Sequence, residues 1–201
     1  DSNAKGVDGD QSDNSSMNSG AAYVFVRSGS SWAQTAYLKA SNTGASDAFG
    51  WSVAATEGAL VVGANAETSS ATGFNGDQSD NAAIDAGAAY VFVPSGSSWA
   101  QAAYLKASNT GTRDEFGYAV AATGGTVVIA APSETSNATG IDGDQANDSA
   151  PSAGAIYSFS GAGGVGTPYC MAVANSTGDM GALAGCGSAS VARNNITLDV
   201  R

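Results

Sequence analysis

Carboxylate and amide side chains recur at alternating positions in three short stretches of the sequence. Each stretch reads Asp or Asn, then Gly, Asp and Gln, and more Asp or Asn residues follow. Oxygen ligands in this pattern, with a glycine that allows a sharp bend, can wrap a hard cation such as Ca²⁺, which takes about six to eight oxygens. The predicted ligands are Asp8, Asp10, Asp13, Asn75, Asp77, Asp80, Asp142, Asp144 and Asp148.

A purely structural role is the alternative for these loops. Asp and Asn side chains also accept hydrogen bonds from backbone N–H groups two residues further along, which makes Asx turns without a metal. Because the three stretches are nearly identical, we expect three equivalent calcium sites or none. The sequence leaves both interpretations open.

Catalytic chemistry has little support in the sequence. There is no histidine, so there is no Ser-His-Asp or Cys-His nucleophile system and no imidazole metal ligand. Asp114 and Glu115 could serve as an acid and a base, but adjacent residues in a turn point apart. Aromatic residues at matched repeat positions could stack on a carbohydrate, although packing is their commoner role. These are Trp32, Trp99, Tyr37 and Tyr104. We predict no catalytic residue.

Charge and composition limit the partners. The 201 residues carry 7 Lys+Arg against 18 Asp+Glu, so the chain cannot neutralise a phosphate backbone, and nucleic acid is excluded as a partner. The apolar runs are too short to cross a bilayer. Low charge and Ser/Thr/Asn/Gly-rich loops suit an exported protein, so Cys170 and Cys186 are predicted to form a disulfide. Two free thiols in a cytosolic protein are the alternative.

An internal repeat organises the chain. Residues 20–56 return as residues 87–123 with 30 of 37 positions identical, at an offset of 67 residues. A weaker third copy begins at Gly154, and the Asp-rich stretches keep the same offset. Such a period indicates an architecture in which each copy is one supersecondary unit.

Four strands are predicted in each period, because β-branched residues and turn signals are frequent and no 3.6-residue apolar stripe is sustained. In the middle copy they cover residues 49–55, 59–64, 87–93 and 99–107. A polar loop separates the second and third strands, and a turn over residues 94–97 separates the third and fourth. The fourth strand contains Gln101 and Lys106, as expected of an outer strand.

The third strand is apolar on both faces. Tyr90 and Phe92 point one way, and Ala89 and Val91 point the other, so the sheet must be covered on both sides. Small four-stranded sheets stacked face to face are the blades of a β-propeller. We therefore predict an all-β chain of tandem four-stranded antiparallel blades, about two to three in an incomplete ring. A β-sandwich with a duplicated half is the alternative.

Two pairs of motifs resemble FG-GAP repeats, the blade motifs of the integrin α-subunit propeller and of many bacterial exported proteins. The first pair is FGWSVA at residues 49–54 and LVVGA at residues 60–64. The second is FGYAVA at residues 116–121 and VIAAP at residues 128–132. The resemblance covers roughly residues 1–160.

The resemblance implies extracellular adhesion or ligand binding, often with calcium. It also implies that the Phe-Gly and Gly-Ala-Pro positions are structural, with the aromatic ring packed between blades and small residues allowing tight turns. The family's usual metal loop, D-x-D-x-D-G-x-x-D between the first and second strands, is missing. That connection is only Thr56-Glu57-Gly58 or Thr123-Gly124-Gly125, and the acidic residues lie between the second and third strands instead.

The predicted strands do not close a ring. They amount to strands three and four of one blade, all four of the next and the first three of another, whereas closed propellers have about four to eight blades. Monomers avoid large exposed apolar faces. We therefore expect a fragment of a longer propeller, or association of the open faces with a protein partner or with further copies of the chain.

The predicted domains are a repeat region at residues 1–166 and a Cys-containing C-terminal β segment at residues 167–201. The chain opens without a methionine or a signal core and stops after a strand-like stretch, which predicts a longer parent protein. The sequence predicts a non-catalytic extracellular or cell-surface protein for adhesion or extracellular assembly. The alternatives are a self-polymerising filament subunit and an accessory propeller domain of a larger secreted enzyme.

Overall fold

The computed structural model describes residues 1–56, 58–123 and 125–160, and its regular structure there is entirely β. Nine strands follow one another in this part of the chain. They are β1 (Ala22–Ser28), β2 (Ser31–Leu38), β3 (Ser52–Ala55), β4 (Leu60–Ala64), β5 (Ala88–Ser95), β6 (Ser98–Leu105), β7 (Ala119–Thr123), β8 (Thr126–Ala131) and β9 (Ala155–Ser160).

The strands form three antiparallel sheets in tandem. Blade 1 is the pair β1-β2, blade 2 is β3-β4-β5-β6, and blade 3 is β7-β8-β9. Every sheet contains only strands that are consecutive in the sequence, which is the arrangement of propeller blades and not of a sandwich with a duplicated half. The predicted all-β fold is confirmed. The predicted numbers of strands in the three blades, namely two, four and three, are confirmed as well.

Blade 2 is apolar on both faces because other parts of the chain cover both. Residues 88–92 of β5 are all buried, as the alternation of large and small apolar side chains predicts. On one face, Tyr90 and Phe92 form a cluster with Phe49 and with Leu38 of blade 1. On the other side, β7 of blade 3 packs against β3 and β4.

The turn between the third and fourth strands is shorter than the sequence predicts. Pro94 and Ser95 continue β5, where Pro94 lies opposite Trp99, and only residues 96 and 97 make the turn. Pro94 has no N–H to donate, so a ladder tolerates it here, near the end of the strand.

The long loop between the second and third strands lies along the fourth strand of its own blade. Val7 forms a bridge with Leu38, and Phe74 forms the same bridge with Leu105. The backbone N–H of Asn75 donates to the carbonyl of Tyr104 at 2.8 Å. The sequence does not predict that this loop pairs with a strand, because a single short bridge leaves no periodic signal in the sequence.

The two outer blades present apolar side chains to solvent. Tyr23 and Phe25 of β1 are each 52% exposed, whereas Tyr90 and Phe92, at the same repeat position, are fully buried. At the other end Ile156 of β9 is 68% exposed. Blade 1 has no counterparts of β3 and β4 within the described ranges, so its aromatic rings lack the cover that blade 2 has.

Two predictions fall outside the described residues: the C-terminal segment 167–201 and the disulfide between Cys170 and Cys186. Within residues 1–56, 58–123 and 125–160, no helix is long and apolar enough to span a membrane.

Candidate functional site

The joint between successive blades is built on the Phe-Gly dipeptide. Phe49 makes a parallel bridge with Gly20 of blade 1, and its ring packs 5.3 Å from Tyr90 and 6.1 Å from Phe92, centroid to centroid. Gly20 has φ 77°, and a Cβ there would lie 2.0 Å from the Phe49 carbonyl oxygen. The backbones can therefore approach this closely only through glycine.

The second joint repeats the first at the same offset. Phe116 makes a parallel bridge with Gly87, and its ring lies 5.4 Å from Tyr157 and 6.2 Å from Phe159. A further hydrogen bond crosses this joint, from Ser52 Oγ to the carbonyl of Gly117 at 2.7 Å. The packing role that the resemblance implied for the Phe-Gly positions agrees with this geometry.

A buried polar network crosses the first joint. Lys106 Nζ donates to Glu67 Oε2 at 3.0 Å, and both side chains are almost completely buried. Asn42, from blade 1, donates from Nδ2 to Glu67 Oε1 at 2.9 Å and accepts at Oδ1 from the Tyr90 hydroxyl at 2.7 Å. Asn42 therefore ties a loop of blade 1 to the core of blade 2.

The amide part of this network recurs at the second joint. Asn109 Nδ2 donates to Glu134 Oε1 at 2.8 Å, and Asn109 Oδ1 accepts from the Tyr157 hydroxyl at 2.6 Å.

Lys106 is not the solvent-facing residue that its place on an outer strand predicts. Its side chain is fully buried, and burial lowers the pKa of its ammonium group, while the carboxylate of Glu67 acts in the opposite direction. Burial likewise lowers the pKa of Lys39, the same residue one repeat earlier. The prediction was wrong because strand order alone does not show that the loop between β4 and β5 folds over this lysine.

A polar cleft of about 710 Å³ lies beside the network, between loops of blades 1 and 2. Hydroxyl and amide side chains dominate its lining, which includes Ser41, Thr43, Thr68, Gln78, Asn81 and the carboxylate of Asp47. Such a surface offers many hydrogen-bond donors and acceptors.

Asp47 is the titratable group of the cleft that the fold perturbs most. It is only 4% exposed, and its Oδ2 accepts a hydrogen bond from the Gly44 N–H at 2.7 Å. Burial raises the pKa of Asp47 to about 6, and the nearby carboxylate of Glu67 adds to the rise. Asp114, at the same position of the second joint, has a raised pKa for the same main reason.

The carboxylates of the first Asp-rich loop accept hydrogen bonds from the loop itself and its neighbours. Asp10 Oδ1 accepts from Ser12 N–H at 2.8 Å and from the Ser12 hydroxyl at 2.7 Å. Asp13 uses its two oxygens for Ser15 N–H and Asn3 N–H, each at 2.9 Å. These hydrogen bonds hold the pKa of Asp10 and of Asp13 below the usual value.

Asp8 closes the first loop on the strand beside it. Its Oδ1 accepts from Tyr37 N–H at 2.9 Å, and its Oδ2 accepts from the Ser98 hydroxyl of blade 2 at 3.1 Å. Asn75 takes the place of Asp8 in the second loop and accepts from Tyr104 N–H at 2.9 Å.

Three more predicted ligands accept hydrogen bonds in the same pattern. Asp77 Oδ1 accepts from the N–H and hydroxyl of Ser79, and Asp144 Oδ1 accepts from Ala146 N–H at 3.0 Å. Asp80 Oδ1 accepts from Ala82 N–H, and its Oδ2 accepts from the N–H and hydroxyl of Ser70. Asp142 has the same left-handed backbone as Asp8, with φ 55°.

The third loop places a different residue at the last ligand position. Asn147, not Asp148, stands at the repeat position of Asp80, and its Oδ1 accepts from Ser149 N–H at 3.0 Å.

The Asp side chains of these loops serve hydrogen bonds and do not gather into one cluster. In the described part of the chain, no three acidic side chains come together as a metal-binding group. Asp10, Asp77 and Asp144 each accept a hydrogen bond from the backbone N–H two residues further along, which is the geometry of the Asx-turn alternative. Calcium binding stays a prediction from the sequence, and a titration decides it.

The other candidates do not form a common site. Asp114 is 3% exposed and accepts from Gly111 N–H, whereas Glu115 accepts from the Ser133 hydroxyl, so their carboxylates serve different contacts.

Among the aromatic residues, Tyr37 and Tyr104 are buried, Trp32 is 66% exposed and Trp99 packs against the core. They therefore form no shared stacking surface.

The joint is the feature that sequence reasoning missed. Its signal was present, because Asn42 and Glu67 recur as Asn109 and Glu134 in a chain with few charged residues. A polar residue that recurs in both copies outside a turn indicates a hydrogen bond to another part of the chain.

The comparison with protein families agrees with the repeat. The FG-GAP repeat profile matches the chain twice, at residues 32–92 and 99–159. Searches of curated proteins and of solved structures found no significant match. The two matches cover more than half of the sequence and coincide with the tandem blades and their Phe-Gly joints. The chain therefore belongs to the FG-GAP repeat family, whose propeller-like blades are protein-interaction modules.

Proposed function

We propose that this chain is a non-catalytic module of an extracellular or cell-surface protein and that it works in adhesion or extracellular assembly. The observation that carries the proposal is the repeated blade joint, which holds near-identical loops in a fixed row. A row of equivalent loops is suited to binding an extended partner surface, because each weak contact adds to the next.

The loops present apolar side chains where a partner could cover them. Met17 and Ile84 occupy matched positions in the first two loops and are 67% and 57% exposed. Phe74 and Ile141 occupy another matched position and are 48% and 93% exposed. Single exposed apolar residues are common on protein surfaces, but their recurrence at matched positions supports a shared binding role.

Net charge indicates the kind of partner. A formal net charge of −11 repels nucleic acid and acidic surfaces and speeds encounters with basic proteins. The polar cleft beside Asp47 adds hydrogen-bonding groups next to the row of loops. The proposal does not depend on calcium.

Bead adhesion tests this proposal. Beads coated with the chain are applied to a panel of purified extracellular-matrix and cell-surface proteins, and bound beads are counted under flow. We expect adhesion that the double variant Ile84→Asp, Ile141→Asp loses. Ile156→Asp, which adds a charge on blade 3 outside the loops, is the matched control and should retain adhesion. Equal binding by all three proteins, or none by the parent chain, would contradict the proposal.

A self-assembling filament subunit is the second candidate, favoured by the exposed apolar residues at both ends of the stack. Static light scattering over a concentration series tests it. Particle growth that Phe25→Ser blocks would support the filament. A constant single-chain mass would exclude it.

A further inference from the structure

One buried carboxylate at the first joint holds an amine and a carboxamide that come from different blades. Glu67 Oε2 accepts a hydrogen bond from Lys106 Nζ at 3.0 Å, and Glu67 Oε1 accepts one from Asn42 Nδ2 at 2.9 Å. The two oxygens belong to one carboxyl group, so the amine of Lys106 and the amide of Asn42 meet at the same place. The site therefore brings together a nucleophile, an acyl group and a proton acceptor.

The surroundings of Lys106 favour its neutral, nucleophilic form. The side chain is completely buried, and burial lowers the pKa of its ammonium group. The Glu67 side chain is buried almost as completely. In such a site, transfer of a proton from the ammonium to the carboxylate replaces two buried charges with two neutral groups. A desolvated lysine amine of this kind is an activated nucleophile.

The carbonyl oxygen of Asn42 has a donor in place for the charge that a nucleophilic attack produces. The Tyr90 hydroxyl donates to Asn42 Oδ1 at 2.7 Å. Tyr90 is completely buried, and burial raises the pKa of its hydroxyl, so the group keeps its proton and remains a donor. A donor fixed on the oxygen of an attacked carbonyl stabilises the oxyanion of the tetrahedral intermediate.

We propose that Lys106 and Asn42 form an intramolecular isopeptide bond, with Glu67 as the proton carrier. Lys106 Nζ attacks Asn42 Cγ, the Cγ–Nδ2 bond breaks, and Nδ2 leaves as ammonia. Glu67 accepts a proton from Nζ and returns one to Nδ2, so no other reactant is consumed. The ion pair of Lys106 with Glu67 is the state of the freshly folded chain, before this reaction. The bond joins a loop of blade 1 covalently to the end of β6 in blade 2, a property that goes beyond the proposed adhesive function.

The second joint has three of the four groups and serves as an internal control. Asn109 Nδ2 donates to Glu134 Oε1 at 2.8 Å, and Asn109 Oδ1 accepts from the Tyr157 hydroxyl at 2.6 Å. All three lysines of the chain lie in the described ranges, and Lys106 is the one that forms an ion pair there. Glu134 therefore has no lysine beside it, and we expect no such bond at Asn109.

Mass spectrometry of the intact full chain tests the proposal. The chain is kept reduced, so that cysteine oxidation does not change its mass, and is incubated until its mass is constant. We expect a mass that is lower than the sequence predicts by one ammonia. Lys106→Arg keeps the positive charge without the amine, and Asn42→Ala removes the acyl group, so both variants should have the full mass of their sequences. Asn109→Ala, the matched change at the second joint, should lose ammonia as the parent does.

Proteolysis of the denatured chain locates the bond. Trypsin cleaves after an unmodified lysine but not after an acylated one, so residues 40–113 should remain one peptide. Further cleavage after Glu57 and Glu67 should leave a branched product in which the segments that contain Asn42 and Lys106 are still joined.

Reaction rates separate a chemical role of Tyr90 and Glu67 from a structural one. The chain is made by cell-free synthesis, and the crosslinked fraction is followed with time. Tyr90→Phe keeps the ring but removes the hydroxyl, and we expect it to slow the reaction by about tenfold or more. Tyr157→Phe makes the same change at the second joint and should leave the rate unchanged. Glu67→Gln removes the proton carrier and should stop the reaction, and circular dichroism checks that each variant is folded.

Three outcomes would overturn the inference. The parent chain could keep the full mass of its sequence after prolonged incubation, or trypsin could cleave it after Lys106. The loss of ammonia could also persist in Lys106→Arg, which would place it elsewhere, as in a succinimide at Asn75-Gly76. Bead adhesion through the loops is measured separately, so the proposed function stands or falls by its own test.

Discussion

Asp47 shows how a single buried carboxylate makes stability depend on pH. Its folded-state pKa of about 6 lies above the ordinary value of 3.8, so the folded chain holds this proton more tightly than the unfolded chain. The contribution of Asp47 to stability is therefore fully present below about pH 4 and is lost as the pH rises to about 6.

We expect Asp47→Asn to remove up to about 2 to 3 kcal/mol of this pH-dependent loss, since one pKa unit corresponds to about 1.4 kcal/mol. Urea unfolding at a series of pH values measures it. Asp77→Asn is the matched control, because the hydrogen bonds from Ser79 lower the pKa of Asp77 and give its contribution the opposite slope. Identical pH profiles for Asp47→Asn and the parent chain would show that the carboxylate is not perturbed.

The pair Lys106–Glu67 is a second feature at this scale. Glu67→Gln leaves the Lys106 ammonium buried without its counter-charge, and we expect it to lower the free energy of unfolding by about 3 to 5 kcal/mol. The double variant Lys106→Met, Glu67→Leu removes both charges and should recover most of the loss. Urea unfolding of the three proteins measures this, and a Glu67→Gln cost as small as that of an exposed ion pair would contradict it.

At the scale of the elements, the blade joint depends on glycine. Gly87 has φ 80°, and a Cβ at this position would lie 2.0 Å from the Phe116 carbonyl oxygen. Gly96, in the turn between β5 and β6, has φ 62° but open space around it.

We expect Gly87→Ala to destabilise the chain by about 3 kcal/mol or more, because it adds a backbone clash to the conformational strain. Gly96→Ala carries only the strain of the left-handed conformation and should cost about 1 kcal/mol. Thermal unfolding compares the two variants. Equal costs would mean that the joint can open to admit a methyl group.

The Asp-rich loops are held by their own hydrogen bonds, so we expect millimolar calcium to leave the Tm unchanged relative to EDTA. Asp77→Ala should lower the Tm in both conditions, because Ser79 loses its acceptor. A Tm that rises with calcium and falls again with EDTA would establish the calcium site that the loop pattern predicts.

The sequence predicted the strands and their grouping well, for a physical reason. A strand such as β5, apolar on both sides and repeated at a fixed offset, has few solutions other than a sheet covered on both faces. Strand ends differ from the prediction by up to three residues, because hydrogen-bond partners decide where a ladder stops.

The joint could not be derived in the same way. The contacts of Asn42 with Glu67 and Tyr90 join residues 25 and 48 positions apart. Such contacts are set by how one blade lies on the next, and periodicity within a strand carries no information about that. The exposure of Lys106 was predicted wrongly for the same reason, since its burial depends on the loop between β4 and β5, which supplies Glu67.

At the scale of the whole molecule, the position of a residue in the stack sets its contribution to stability. Phe25 and Phe92 are repeat counterparts, but Phe25 is half exposed and Phe92 is fully buried. We expect Phe92→Ala to cost about 3 to 5 kcal/mol, as for other buried phenylalanines. Phe25→Ala should cost well under half of that. Chemical denaturation of both variants measures the difference, and equal losses would mean that the face of blade 1 is covered in solution.

The near-identity of the two hairpins β1–β2 and β5–β6 has a consequence for how the chain acquires its structure. Each first strand could pair with either second strand, since the alternatives present almost the same side chains. Neighbouring repeats this similar are prone to exchange strands while folding, within one molecule or between two. The short turn at residues 96 and 97 opposes such exchange, because a local hairpin closes sooner than any pairing a full repeat away.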